Sequence, residues 1–274
     1  MRLAFSTNAF KQVSLEESLR QIAGCGYAGV EIMADVPHAY PPHMDRRRRS
    51  SVVELLNDLR LTVTNLNAFT LFAQGDTWHP SWIEPEAEAR ERRIEHTLGA
   101  VRLARDLGAP GISLEPGGPL PEGMSRAEAM QLYRDGLARV LPTAAECGVD
   151  LLVEPEPHLL IERPEEFEEL LEGLSHEHLA LNFDVGHFYC VGVDPAEAVR
   201  RLAAHIRHVH LEDIAPSREH KHLVPGHGAI DFDAVFAALR DIGYNGWVTV
   251  ELYPYEAQAR EVADEAFRYL ATWF

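Results

Sequence analysis

The chain has 274 residues, 46% of them hydrophobic, and a formal net charge of −18 at pH 7. That apolar content is enough for a substantial core. The acidic balance argues against a nucleic-acid partner, because Lys and Arg carry most phosphate binding.

Strand-like runs are predicted to begin near Arg2, Gly29, Thr62, Gly111, Asp150, Leu179, Ile206 and Trp247. Helical patterns separate them. Leu15, Leu19 and Ile22 recur at helical spacing, as do Ile94, Leu98, Val101 and Ala104, then Phe167, Leu170, Leu171 and Leu174. Ser14 with Glu17 and Ser125 with Glu128 read as capping boxes, and Asp194 before Pro195 as an N-cap. A faint repeat places paired glycines at a helix end and before a strand: Gly26 and Gly29, Gly108 and Gly111, Gly243 and Gly246. Eight βα units without a linker predict a single α/β domain over residues 1–274, a (β/α)8 TIM barrel. An open doubly wound sheet is disfavoured, since no Gly-rich phosphate loop follows the first strand. Cys25, Cys147 and Cys190 are too few and scattered for a disulfide framework and suit the cytoplasm. The N-terminal RLAFSTNAF lacks the apolar core of a signal peptide, and no window reaches the length of a membrane span.

The last four strand-like runs, LLVEPE, LNFDVGH, HVHLED and WVTVEL, each reach a metal-type ligand: Glu154, Asp184, His210 and Glu251. Barrel active sites lie at the C-terminal ends of the strands. Three carboxylates converging there repel one another and lose solvent, and a divalent cation relieves both penalties. The donors are mostly hard oxygens, which suits Mn²⁺ first, with Mg²⁺, Co²⁺ or Zn²⁺ as alternatives. The loop after the third strand is long and aromatic, carrying Phe69, Phe72, Trp78, His79 and Trp82. It reads either as a sugar-binding lid, with Trp78 at the substrate, or as rim packing. Asn8, Phe10 and Glu31 stand at early strand ends near the expected pocket. The run Arg46–Arg49 reads as a solvated helix face, His38 and His43 as rim structure, and His205 and His208 as a helix end and barrel interior.

These motifs resemble the xylose isomerase-like TIM barrel superfamily, which includes D-tagatose 3-epimerase-like enzymes, inosose dehydratases and endonuclease IV. The resemblance covers nearly the whole chain. It implies that Glu154, Asp184, His210 and Glu251 ligate one metal, and that Glu154 and Glu251 also exchange protons with a sugar. It implies that His187 and Arg218 contact substrate oxygens. The epimerases carry a further glutamate where this chain has Leu160, so Glu156 and His158 are the candidate replacements. Endonuclease IV holds three metals, and His222 matches one of its ligands. Asn67, Glu115 and His220 depart from that pattern, which weighs against an abasic-site nuclease.

The activity implied is metal-dependent sugar or polyol isomerisation or epimerisation, with Glu-mediated proton transfer through an enediolate. Inosose-type dehydration on the same site is the alternative. The expected partner is a small sugar or polyol, with no nucleic acid and no membrane, and the chain is expected to pair as a homodimer.

Overall fold

The eight apolar runs become eight parallel strands that pair in chain order and close into a barrel. In the computed structural model, which describes residues 1–274, they are β1 (Arg2–Ser6), β2 (Gly29–Met33), β3 (Thr62–Asn67), β4 (Gly111–Leu114), β5 (Asp150–Val153), β6 (Leu179–Asp184), β7 (Ile206–Leu211) and β8 (Trp247–Val250). Closure runs from Arg2 opposite Trp247 to Phe5 opposite Val250. Helices cover the outside and side chains fill the inside, so β2 and β6 are buried along their whole length. Two register shifts set which residues stand opposite one another near the C-terminal ends of the strands. One between Val30 and Glu31 sets Glu31 opposite Asn65, and one between Leu181 and Asn182 sets Asp184 opposite His210.

The outer ring comprises α1 (Leu15–Gly24), α2 (Arg46–Leu59), α3 (Ala87–Leu107), α4 (Arg126–Cys147), α5 (Pro164–Gly173), α6 (Val185–Cys190), α7 (Pro195–Arg201), α8 (Phe232–Asp241) and α9 (Ala259–Leu270). Ser14, Ser125 and Asp194 cap α1, α4 and α7 by accepting from backbone N–H groups of their first turns, but the reciprocal bonds of a capping box are not made, and Glu17 accepts from Gln21 instead. The first glycine of each repeat has positive φ (Gly26 101°, Gly108 77°, Gly243 72°), a turn into the next strand that a Cβ would strain. The arginine run opens α2, where Asp45 caps the helix and Arg49 pairs with Asp106 at 2.5 Å. Arg48 donates to His38 O at 2.9 Å, while Arg46 and Arg47 are exposed on the helix face.

Residues 68–86, between β3 and α3, form the long loop. Asp35 holds its start, accepting from Phe72 N at 2.5 Å, Thr70 Oγ1 at 3.0 Å and Ala73 N at 3.1 Å. Buried Arg93 on α3 holds its middle, donating to Pro80 O at 2.7 Å and Phe69 O at 2.8 Å. The two tryptophans of the loop therefore divide the two readings between them. Trp82 is buried against Tyr133, ring centroids 5.6 Å apart, while Trp78 is 40% exposed and lines the cavity at the mouth.

Candidate metal centre

Glu154 directly follows β5, Asp184 ends β6, His210 lies on β7 and Glu251 directly follows β8. All four are buried, and one ligand atom from each falls within 4.8 Å of all the others. Local structure orients every donor. Asp184 caps α6, its Oδ1 accepting from His187 N at 2.7 Å, which leaves buried Oδ2 without a partner. Asn182 Nδ2 donates to Glu154 Oε2 at 2.8 Å. Asn8 Nδ2 and Asn67 Nδ2 donate to Glu251 Oε1 at 2.7 and 3.0 Å. Amides thus fix one edge of each glutamate: Glu154 turns its free Oε1 to His210, while Glu251 presents the amide-bound Oε1 to His210 and its free Oε2 to His222.

The electrostatics show what such a cluster lacks. Burial lifts Glu251 well above the usual carboxylate range; His210 opposes the shift, and Glu154, Glu31 and Asp184 add to it. Burial also raises Glu154, with His210 again opposing. Burial disfavours a charged His210, yet Glu31, Glu154 and Glu251 outweigh it and hold the ring well above its ordinary value. Alone, these groups relieve their repulsion by binding protons. A divalent cation does the same with the carboxylates ionised, and the unpartnered Asp184 Oδ2 is a donor already aimed for it. The residues fit a cation.

Above the cluster opens a cavity of about 630 Å³, lined by Glu154 and Glu251 together with Glu156, His158, His187 and Trp78. Trp78 Nε1 donates to Glu156 Oε1 at 3.4 Å, joining the long loop to the β5 side of the mouth. If the Trp78 indole closes the cavity around a ligand, Trp78→Ala should raise KM about tenfold and leave kcat within about twofold; steady-state kinetics checks this.

His187, for which the resemblance implies contact with substrate oxygens, lines the cavity. Its Nδ1 lies 2.9 Å from Pro155 O and must be the donor, and burial keeps the ring neutral, with its pKa pushed down to about 3. Nε2 is therefore an acceptor, suited to a substrate hydroxyl. Arg218 does not reach the cavity. Its φ is 61°, and the guanidinium stacks 4.6 Å from the Tyr189 ring centroid and donates to Tyr189 O at 3.0 Å. His227 faces Glu265 at 2.9 Å on the surface, His38 is buried against Phe10 O at 3.2 Å, and Phe10 packs in the core. Asn8 does line the cavity, as do Lys11 and Tyr253, which sequence reasoning missed. Tyr253 had a signal, lying two residues beyond Glu251.

Asp213, the last residue of the HVHLED run, organises the loop after β7. It accepts from Gly228 N at 2.8 Å, Gly226 N and Ile214 N at 2.9 Å, and Ile230 N at 3.1 Å. Asp213→Ala leaves these four donors without that acceptor. A loss of about 2–4 kcal/mol of stability is expected, with faster amide exchange across residues 214–230, measured by denaturant melts and hydrogen exchange.

Residues 19–273 match a family model described as Xylose isomerase-like TIM barrel. The chain belongs to that family. Among relatives of this xylose isomerase-like barrel, the inosose dehydratase of Clostridium beijerinckii is 26% identical over 281 residues, spanning 95% of this chain and 90% of that protein. The inosose dehydratase of Geobacillus thermodenitrificans is 28% identical over 258 residues, spanning 88% and 82%. Among solved structures, a D-tagatose 3-epimerase-like protein superposes with a TM-score of 0.81 at 22% identity, covering 99% of both chains. The IOLI protein, solved with a binding zinc atom, gives 0.82 at 20% identity over 100% of this chain and 99% of its own. These structural likenesses establish the barrel fold.

Proposed function

We propose that this xylose isomerase-like barrel is a divalent-metal-dependent enzyme that moves a proton beside the carbonyl of a neutral sugar or oxidised (keto) polyol, acting as an isomerase or epimerase. The observation that carries this reading is the pairing of roles at Glu154 and Glu251: both belong to the four-donor cluster and both line the cavity. Glu154, Asp184, His210 and Glu251 would hold the cation, Mn²⁺ by preference. When bound, it supplies Lewis acidity that spreads negative charge from the carbonyl oxygen and acidifies the adjacent carbon–hydrogen bond.

The chain's own groups do the rest. One glutamate takes the proton and the other returns one, while Asn8, Asn67 and Asn182 keep both carboxylates in register. His187 Nε2 accepts from a substrate hydroxyl, and Trp78 and Tyr253 present aromatic faces that limit water. The cavity disfavours a phosphorylated substrate. Its lysine, Lys11, is already paired with Glu256 at 2.8 Å, and Glu154, Glu156, Glu219 and Glu251 line the wall. Residues 1–274 are read as one catalytic domain working in the cytoplasm, as a homodimer, on a small molecule rather than on nucleic acid or at a membrane. No helix is long and apolar enough to cross a membrane.

A second reading, dehydration of an inosose-type substrate, is favoured by the names of the sequence relatives. It shares the first proton abstraction and differs in expelling a hydroxyl. Incubation with neutral ketoses and inososes in deuterium oxide, followed by mass spectrometry, separates the two. A product of unchanged formula carrying deuterium at the reacting carbon supports isomerisation or epimerisation. A product lighter by one water transfers the assignment to the dehydratase. Turnover of neither class, with nicking of an abasic-site duplex, would overturn both.

A further inference from the structure

Behind the four-donor cluster lies Glu31, fully buried on β2 and absent from the cavity wall. Its Oε2 stands 2.6 Å from His210 Nε2, 2.8 Å from Asn65 Nδ2 and 3.5 Å from His208 Nε2, and its Oε1 accepts from Asn67 Nδ2 at 3.4 Å. A carboxylate ringed by donors in this way only accepts. The proton between Glu31 and His210 therefore sits on Nε2, and the opposite nitrogen, Nδ1, is the one that can offer a lone pair. Nδ1 faces Glu154 Oε1 at 3.1 Å, Glu251 Oε1 at 3.8 Å and Asp184 Oδ2 at 3.9 Å.

We infer that Glu31 is the positioning residue of the metal centre: it selects the Nε2-protonated tautomer of His210, fixes the ring plane, and so presents Nδ1 as the ligand. This rests on the metal reading above and assigns a role to a residue that does not touch substrate.

Glu31, His208 and His210 also converge closely enough to suggest a cation site of their own. The amides argue against it. Asn65 and Asn67 aim N–H groups at both Glu31 oxygens, and His208 Nε2 is shared with Thr249 Oγ1 at 2.9 Å, so the donors that would repel a cation already fill the space. On the other side of the ring, Asp184 Oδ2 is buried and unpartnered. The cation belongs on the Nδ1 side, and Glu31 belongs behind it. Such outer carboxylates orient a ligating imidazole and raise its basicity, and losing one typically costs about 10–100-fold in metal affinity.

The test is Co²⁺ affinity, measured by chelator competition on Glu31→Leu and Glu31→Gln, with the cobalt absorption spectrum and apo-protein melting recorded alongside. Glu31→Leu keeps the volume and removes the acceptor, and is expected to bind Co²⁺ about 10–100-fold more weakly with an altered spectrum. Glu31→Gln, which keeps an acceptor oxygen, should recover part of that loss. A folded Glu31→Leu that binds within threefold of the parent, with an unchanged spectrum, overturns the role. A parent that binds no Co²⁺ sinks the metal reading itself, and the role with it. If Glu31→Leu does not fold, nitrogen-15 NMR of histidine-labelled, Zn²⁺-loaded parent decides. A proton on His210 Nε2 supports the assignment, and a proton on Nδ1 refutes it.

Discussion

Replacing Glu251 with glutamine is expected to lower kcat by about 10²–10⁴, because a positioned proton-transfer group contributes about that much. The substitution keeps the side-chain length and one oxygen for the Asn8 and Asn67 amides that now meet Oε1 at 2.7 and 3.0 Å. What it removes is a group able to take a proton at the cavity wall. The measurement is a steady-state comparison at saturating metal, with bound metal quantified in each sample. A metal-replete variant with a collapsed kcat and a KM within a few-fold of the parent separates proton transfer from binding. Asn8→Ala should lose far less, since it only loosens one hydrogen bond to the same carboxylate. Equal losses in the two variants would mean that geometry, and not proton transfer, is what Glu251 supplies.

The second large effect is on stability. Arg93→Met is expected to destabilise the fold by about 3–5 kcal/mol, the range for breaking a buried charged network. The Arg93 guanidinium is buried, donates to Pro80 O and Phe69 O, and lies 3.0 Å from Glu115 Oε2. The last contact is close but lacks hydrogen-bond geometry, and burial pushes Glu115 up to about 8 against the pull of Arg93. We therefore assign most of the arginine's contribution to the loop carbonyls. The pH dependence follows. The unfolded chain ionises Glu115 near the ordinary value of 4.5, while the folded chain keeps it protonated to about 8. Stability from this group is intact below 4.5 and declines as pH rises toward 8. Glu115→Gln should flatten that part of the stability–pH curve, whereas Arg93→Met should steepen it. Urea melts between pH 5 and 8 check both.

Much of this molecule is legible in its sequence, for identifiable reasons. Parallel strands covered on both faces read as apolar runs, and paired glycines mark the starts of β2, β4 and β8, so the strands start where their patterns predict. A polar ligand closing an apolar run is equally visible, which is how Glu154, Asp184, His210 and Glu251 stand out. The supporting layer is not visible. Asn65 and Asn67 meet Glu31 across neighbouring strands only because the β2–β3 register shifts at Val30 and Glu31, and no spacing within one strand encodes that shift. Arg218 shows the converse. The resemblance offers it as a substrate contact, but a left-handed backbone turn lays it on Tyr189. His187 lines the cavity, yet its hydrogen-bonding sense depends on a carbonyl 32 positions away in sequence, at Pro155.

The most direct measurement is anomalous diffraction from crystals grown with Mn²⁺, recorded at the manganese absorption edge. A peak enclosed by Glu154, Asp184, Glu251 and the Nδ1 of His210 is the predicted result, with a weak or absent peak in Asp184→Ala. A second peak among His187, His220 and His222, whose ligand atoms also fall within 4.8 Å of one another, would enlarge the centre without displacing the first. Crystals of active protein with no manganese among the four side chains, or with the ion bound only elsewhere, would contradict the account.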